Sequence, residues 1–366
     1  MTARTANYRL TTQAAQALES LVDTIEATPG DLIRPHEFDG CAAVLDLKAV
    51  VSDLPPGITE TDFVGIMRLA LLTECATESY ADVISSIGRD CGAGWLSRFT
   101  DNVWAPDELT HYTPYRLMLL NMGFSEEELD RDIRDVQEKL YAHSGGRTPV
   151  HITTYGMVQE YLTDNYHGLI ARMLKKSAPE AAAMVFRIKR RETLHTAWYR
   201  DMTALQIESN PRFVQDMASE INCFDMPGSS LVPELQAKGK RWQELMGADV
   251  EQMFRDLLRL VHDILGSTKL TGELVLKLAA ERNVDIGPVS ASQVSRAMSR
   301  LGGIGHGLIG EAVLEKAGLG YTFERPAGRQ DSGFRPYEGV QEKVRSLLRG
   351  WIRDHIPSPA AAILSS

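Results

Sequence analysis

The sequence has few cysteines, no long apolar run and little strand-like alternation, and each of these absences excludes a class of protein. The 4 cysteines in 366 residues lie far apart, so we expect neither a cysteine zinc cage nor a disulfide framework, and a reducing cytoplasm suits the chain. The longest apolar stretch, residues 66–72, contains Arg68, so we expect no membrane span. The first residues lack an apolar segment, so we expect no secretory signal.

The chain also has fewer basic than acidic residues. The 39 Lys and Arg against 49 Asp and Glu give a net charge of −10, which argues against general nucleic-acid binding. Hydrophobic residues make up 43% of the chain, which is enough for a full core, and they recur with a helical period. We therefore predict an all-α protein, with a core of long helices over residues 1–235 and a C-terminal helical extension over residues 236–366.

Apolar periodicity and capping signals predict where the helices lie, and residues 30–57 are expected to be irregular. In the core, the predicted helices cover residues 12–27, 60–88 with Thr61 as N-cap, 95–122 with interruptions at Pro106 and Pro114, 125–143, 152–176, 179–208 and 212–224. In the C-terminal part, shorter helices are predicted over residues 249–266, 271–282, 290–301 and 338–355.

Two Glu-x-x-His motifs, Glu108–His111 and Glu192–His195, each place a carboxylate and an imidazole on one helix face. Glu74 and Glu160 each stand in an apolar stretch of another predicted helix. This order of residues is the ligand plan of a four-helix bundle that binds two metals. Four carboxylates and two imidazoles suit iron, with manganese as the alternative. Because unpaired carboxylates in a core are costly, a bound cation is the physical reason for them to be there.

At these residues the chain resembles the soluble acyl-[acyl-carrier-protein] desaturases of the ferritin-like di-iron superfamily. The resemblance covers roughly residues 50–230 and is carried by the stretches LLTECATESY, WAPDELTH, QEYLT and RRETLHTAWY. It implies six metal ligands, which are Glu74, Glu108, His111, Glu160, Glu192 and His195. It also implies that Thr163 is the threonine on the dioxygen side of the centre.

The resemblance further implies a ferritin-like di-iron bundle that introduces a double bond into an acyl chain held on an acyl carrier protein. Dioxygen would be the co-substrate, a ferredoxin-type protein the electron donor, and a homodimer is compatible with it. One alternative is a hydroxylase or N-oxygenase of specialised metabolism on the same scaffold, which the unmatched C-terminal part favours. A second alternative is a non-catalytic ferritin-like iron-binding protein.

Two departures from the family pattern lie at the motifs themselves. Pro106 and Pro114 flank the first motif, where the family has an unbroken helix, so a kink or a restarted helix is expected. Arg191 stands where the family has an acidic residue before the last ligand Glu, which leaves the supporting partner of one histidine in question.

Several residues keep two interpretations at this point. Glu78, one turn after Glu74, is the alternative ligand on its helix. Thr163 either assists proton delivery or bonds back to a carbonyl one turn earlier. His167, seven residues after Glu160, is the one further histidine placed to reach the site. Aromatic residues close to the motifs are either bundle core or an electron route, and these are Trp104, Trp198 and Tyr199.

The basic residues around the last motif also have two interpretations. They form either a solvated helix face or a strip that docks an acidic carrier protein. The residues are Lys175, Lys176, Arg187, Lys189 and Arg190.

Overall fold

The structure is a computed structural model that describes residues 8–34, 45–143 and 145–265, with residues 276, 280 and 290 as isolated positions. Every regular element within these residues is helical, which confirms the predicted all-α class. The helices are α1 (Thr12–Ala27), α2 (Leu47–Asp53), α3 (Glu60–Glu74), α4 (Thr77–Asp90), α5 (Gly94–Phe99), α6 (Ala105–Glu108), α7 (Tyr112–Asn121), α8 (Glu126–Gln137), α9 (Pro149–Leu174), α10 (Pro179–Ser209), α11 (Val214–Cys223), α12 (Gly228–Leu231), α13 (Pro233–Leu245) and α14 (Val250–Leu265). The helices predicted over residues 271–282, 290–301 and 338–355 lie outside the described residues.

Helices α9 and α10 form a long hairpin, joined by the four residues 175–178. Their side chains pair in reverse order along the two helices. Thr203 Oγ1 donates to Thr153 Oγ1 over 2.8 Å, and Lys189 Nζ donates to Asp164 Oδ1 over 2.8 Å. The two helices are therefore antiparallel, so residues early in α9 lie opposite residues late in α10.

Two hydrophobic clusters pack against the two halves of this hairpin. The first takes residues 150–162 and 199–207 of the hairpin together with α1, α5, α11 and α14. The second takes residues 166–174 and 181–188 together with α3, α7, α8 and α13. Each fully buried aliphatic or aromatic side chain in them contributes about 2 kcal/mol to folding. Polar side chains of α9 and α10 are concentrated where the two clusters meet, near the middle of the hairpin.

The predicted long helix over residues 60–88 is interrupted, and the break falls directly after Glu74, where α3 ends and α4 soon begins. Side chains that follow the break bind the carbonyl groups that it frees. Thr77 Oγ1 donates to the Glu74 carbonyl over 2.8 Å, and Tyr80 OH donates to the Thr73 carbonyl over 3.0 Å. The chain can therefore turn at this point without leaving these two backbone acceptors unsatisfied.

The helix before this break begins at Glu60, as predicted, but its N-cap was placed two residues too late. Thr59, not Thr61, is the N-cap of α3, because the Thr59 hydroxyl accepts from the Asp62 N–H while the Asp62 carboxylate accepts from the Thr59 N–H. This reciprocal pair satisfies two backbone donors that the first turn leaves free.

The segment over residues 95–122 is broken, as the prolines predict. It contains α5, a π-helical turn (Thr100–Trp104), α6 and α7, with residues 109–111 between the last two helices. Pro106 lies in the first turn of α6 and Pro114 in the first turn of α7. At these positions the missing N–H has no partner within the helix, so proline is tolerated.

The remaining helices differ from the sequence prediction in a few places. Helix α1 has the predicted bounds, whereas α8 ends at Gln137 and not near residue 143. Residues 30–57, expected to be irregular, contain α2, whose N-cap Asp46 accepts from the Ala49 N–H. Helix α13 was not predicted; it spans residue 235 and packs on α3. Among the described helices, none is both long and apolar enough to cross a membrane.

Candidate metal centre

Four helical regions bring the six predicted ligands together in the interior. Glu74 ends α3, Glu160 lies on α9, and α10 carries the Glu192–His195 motif. The first motif spans the break between α6 and α7, where it ends one helix and caps the next. Each of the six residues is at most 6% exposed. Glu78, in contrast, is exposed on the first turn of α4, so the structure brings Glu74 and not Glu78 to the cluster.

The ligand atoms of these residues fall into two overlapping groups, and all atoms within a group lie within 4.8 Å of one another. The first group is Glu74, Glu108, His111 and Glu192. The second group is Glu108, Glu160, Glu192 and His195. Since Glu108 and Glu192 belong to both groups, their carboxylates are placed to bridge two cations.

Both imidazoles turn the same ring nitrogen toward the carboxylates. His111 Nδ1 lies 2.9 Å from Glu192 Oε1 and 3.3 Å from Glu108 Oε2. His195 Nδ1 lies 2.7 Å from Glu108 Oε1 and 3.6 Å from Glu160 Oε2. Each Nε2 atom faces away from this cluster.

Several of the converging atoms are buried and lie close to one another, but they form no hydrogen bond of acceptable geometry among the described residues. They are Glu108 Oε1, His111 Nδ1, Glu160 Oε2, Glu192 Oε1 and His195 Nδ1. Leaving a buried polar atom unsatisfied costs about 1–3 kcal/mol, and like charges held together add repulsion. Two cations would satisfy these atoms at once. The oxygen-rich donor set with two imidazoles fits iron or manganese.

The cluster shifts the pKa values of its own members. Burial, and after it the neighbouring Glu160 carboxylate, raises the pKa of Glu192 to about 7. Burial acts to lower the pKa of His111 and His195, but the surrounding carboxylates, Glu108 among them, raise both well above the ordinary value. In the metal-free protein this cluster therefore retains protons that bound cations would displace.

Asp107, which the sequence analysis did not single out, supports one of the predicted ligands. Its Oδ2 accepts from His195 Nε2 over 2.8 Å and from Arg191 Nε over 2.7 Å. Burial acts to raise the pKa of Asp107, but the hydrogen bond and charge of His195, with the charges of His111 and Arg191, hold it well below the ordinary range. A carboxylate on the far nitrogen fixes the ring orientation of a metal-binding histidine. The available signal was the acidic pair in WAPDELTH.

The two histidines of the cluster are not supported equally. This agrees with the presence of Arg191 at a position where the resemblance leads one to expect an acidic residue. Its guanidinium binds Asp107 and lies over the Trp198 ring, 5.5 Å from the centroid. His111 Nε2 has no hydrogen-bond partner among the described residues, and its nearest carboxylate oxygen, on Asp107, is 3.9 Å away. One histidine of the cluster is thus held by a carboxylate on its far side and the other is not.

Trp104 and Thr163 both contact the carboxylates directly. Trp104 Nε1 donates to Glu160 Oε1 over 2.8 Å. Thr163 Oγ1 lies 3.0 Å from the Glu160 carbonyl and 3.1 Å from Glu192 Oε2. Both interpretations of this threonine are therefore present in the geometry, since its hydroxyl can bond back along the helix or toward the cluster.

His167 also reaches the cluster, from the other side. Its Nε2 lies 3.3 Å from Glu74 Oε1 and 3.8 Å from Glu192 Oε1. Its Nδ1 pairs with the Tyr115 hydroxyl. The spacing of seven residues from Glu160 was the sequence signal for this contact.

A small cavity lies beside the Glu160 end of the cluster. Its wall is formed largely by rings, and it includes Tyr80, Trp104, Tyr141, His143, Tyr155 and Tyr199. Gln159, the neighbour of Glu160, lines it as well. The volume of the cavity is about 20 Å³, which leaves room for little more than one water molecule beside the cluster.

No family model matches the chain, and no curated protein matches it. The chemistry of the cluster therefore carries the functional argument. The described residues offer two overlapping groups of buried carboxylates and imidazoles that could hold metal ions, with the Thr163 hydroxyl and a small cavity beside them.

Proposed function

We propose that the protein is a di-iron, dioxygen-dependent oxidoreductase built on a ferritin-like four-helix bundle. The observation that carries this proposal is the pair of overlapping ligand groups, which share Glu108 and Glu192. One Glu from each of two helices, with a Glu-x-x-His motif from each of two others, is the ligand plan of di-iron carboxylate bundles. The unsatisfied buried atoms of the cluster support bound cations as the reason for its burial.

The reaction that the sequence resemblance favours is desaturation of an acyl chain on an acyl carrier protein. Two hydrogens leave adjacent carbons while dioxygen is reduced to two waters, with two electrons from a ferredoxin-type donor and two protons. Two iron ions, when bound, supply the redox chemistry for this reaction.

The chain's own residues would orient the centre and hold a proton beside it. The Trp104 N–H orients Glu160, and Asp107 orients His195. The Thr163 hydroxyl keeps a proton within hydrogen-bond reach of Glu192 Oε2. The geometry thus supports a proton source on the side of the centre that the resemblance assigns to dioxygen.

The adjacent cavity has a volume of about 20 Å³, room for little more than one water molecule, and its wall is mostly ring surface. Tyr80 OH donates to the Thr73 carbonyl and Tyr155 OH donates to the Asp225 carbonyl. Because these two hydroxyls bind the protein backbone, their ring faces and edges are left to form the wall. An aliphatic segment could enter only if these rings moved apart, and it would then pack against them without competing hydrogen bonds.

A second candidate, oxygen insertion into a more polar substrate, is favoured by another residue of the same wall. The Tyr199 hydroxyl, in the wall of the cavity, is buried and has no hydrogen-bond partner among the described residues. It could bind a polar group of a hydroxylase or N-oxygenase substrate. His143 also lines the cavity, and its Nε2 faces Glu220 Oε1 over 3.4 Å.

The test begins with metal content. Protein loaded anaerobically with ferrous iron should bind close to two irons per chain, since the donor set forms two positions. One tightly held zinc, or no metal, would end the di-iron proposal.

The loaded protein should then be given dioxygen, reduced ferredoxin and saturated acyl chains of several lengths on acyl carrier protein, with products read by mass. Loss of two hydrogens supports the desaturase, and gain of one oxygen supports the oxygenase. Iron binding without substrate-dependent oxygen consumption would instead support an iron-binding protein without catalysis.

A further inference from the structure

A row of three buried side chains leads from α7 through α9 to the end of α3. The Tyr115 hydroxyl pairs with His167 Nδ1, and His167 Nε2 faces Glu74 Oε1 over 3.3 Å. Tyr115 and His167 are at most 1% exposed, and Glu74 is 6% exposed. These groups are thus sheltered from water, so their polar atoms depend on one another.

The partner of Tyr115 decides which nitrogen of His167 carries the proton. Burial raises the pKa of Tyr115 well above its ordinary value, so the hydroxyl keeps its proton. His167 Nδ1 is the acceptor that the described residues offer to this hydroxyl. A phenol that donates to Nδ1 leaves the neutral ring with its own proton on Nε2, the nitrogen that faces Glu74.

Glu74 lacks the kind of hydrogen-bond donor that holds two of the other glutamates. Glu160 is held by Trp104, and Glu192 is held by Thr163. Glu74 is instead the last residue of α3, where the negative end of the helix dipole disfavours a carboxylate. The nearest described side-chain nitrogen is His167 Nε2, at 3.3 Å from Glu74 Oε1, in a contact without the angles of a hydrogen bond.

We propose that His167, oriented by Tyr115, is a positioning residue that holds the Glu74 carboxylate toward the metal position of the first ligand group. This inference rests on the proposed metal centre and adds to it a support that the resemblance does not name. The contact tightens when a cation draws Glu74 into its bound geometry, since carboxylates that bind metals are themselves hydrogen-bonded.

The experiment compares His167→Gln with His167→Asn in the full chain, with Co²⁺ as the probe. Glutamine places an N–H near the position of Nε2, whereas asparagine is one methylene shorter and cannot reach Glu74. Wild type and His167→Gln should each bind two Co²⁺ per chain. His167→Asn should bind one with affinity close to wild type and the other about 10–100-fold more weakly. Tyr115→Phe, which loses the orienting donor, should lie between the two.

Two control variants alter buried groups of α9 that do not face the cluster. Tyr166→Phe removes a hydroxyl that donates to the Ile66 carbonyl, and His151→Asn removes an imidazole bonded to Thr148. Both should bind two Co²⁺ with unchanged affinity and unchanged visible spectra. Circular dichroism confirms that each variant is folded before titration.

The outcomes separate the inference from the proposed function. If His167→Asn bound both ions as tightly as wild type, the positioning role would be wrong while the metal centre stood. If His167→Gln lost the ion as completely as His167→Asn, His167 would be a direct ligand and the positioning role would again be wrong. Wild-type protein that bound no Co²⁺ at all would contradict the metal centre itself.

Discussion

Single residues at the centre of this protein are polar where core packing would favour apolar ones. The sequence predicted six of them, four from the Glu-x-x-His spacing and two, Glu74 and Glu160, from their apolar surroundings and their order along the chain. It could not predict Asp107 as a partner of His195, since that contact joins residues 88 positions apart on different helices. Residue type and local spacing are visible in a sequence, and contacts between helices are not.

Glu74 and Glu78 offer a matched pair for testing which glutamate binds metal. Glu74→Gln should lose one of two bound irons, because amide oxygen is a far weaker ligand than carboxylate for a divalent cation. Glu78→Gln should keep both irons, because Glu78 is exposed on α4. Iron content after gel filtration measures both, and loss of iron in Glu78→Gln alone would assign the ligand to Glu78.

The buried pair of Asp107 and Arg191 should contribute to the free energy of unfolding as well as to metal binding. Asp107→Asn leaves the Arg191 charge uncompensated in the interior and should lower the free energy of unfolding by about 3–5 kcal/mol. Asp107→Asn combined with Arg191→Gln removes both charges and should cost less than the sum of the single changes. Urea unfolding of the four metal-free proteins measures this coupling, and additive losses would mean that the pair does not interact.

Elements were predicted well where their ends carry strong local signals. Pro106 and Pro114 predicted the interruptions in the 95–122 segment, because proline lacks the N–H that a helix interior needs. The break after Glu74 carries neither proline nor glycine, and it depends on carbonyls bound by Thr77 and Tyr80. Both are local bonds from side chains to backbone carbonyls, which helix propensity alone does not include, so the sequence predicted one helix where the structure has two.

The contact between α3 and α13 gives a test at the scale of elements. The Asp62 carboxylate accepts from Trp242 Nε1 over 2.9 Å and from Arg241 Nη1 over 3.2 Å, and it also closes the α3 capping box with Thr59. Asp62→Ala should therefore lower the free energy of unfolding by about 1–3 kcal/mol. Gln243→Ala, on the same helix α13, is the control for general effects on that helix.

The stability difference at Asp62 should depend on pH. Burial acts to raise the pKa of Asp62, but hydrogen bonds from Trp242 and Thr59, with the charge of Arg241, lower it from 3.8 to about 2. A lowered folded-state pKa adds stability that is fully present above pH 3.8 and is lost as the pH falls through about 2. Urea midpoints of wild type and Asp62→Ala should converge in this range. A constant difference between pH 5 and pH 2 would show that the carboxylate charge does not matter.

At the scale of the whole molecule, charge limits how an acidic carrier protein could bind. The net charge is −10, so attraction must come from a local surface. In the structure, three of the five basic residues near the last motif pair with acidic side chains, in the pairs Lys176–Asp53, Arg187–Asp31 and Lys189–Asp164. Lys175 and Arg190 are exposed.

Charge reversal on this surface should weaken use of a carrier-bound substrate. The double change Arg187→Glu with Arg190→Glu, or Lys175→Glu with Lys176→Glu, should raise KM, more at low salt, with kcat nearly unchanged. Arg131→Glu with Lys238→Glu alters net charge equally at exposed positions on α8 and α13 and serves as the control. Equal activity on free acids or coenzyme A thioesters, without salt dependence, would remove the carrier protein from the proposal.

The α9–α10 hairpin has a consequence for the order in which the cluster assembles. Glu160 and Glu192 are separated by 192 − 160 = 32 residues, whereas Glu74 and Glu192 are separated by 192 − 74 = 118. Short loops close faster, so we expect the hairpin half of the cluster to form before α3 arrives with Glu74. A cation that needs both halves then acts after the folding transition state. Stopped-flow measurements should show that metal slows unfolding and leaves the folding rate unchanged.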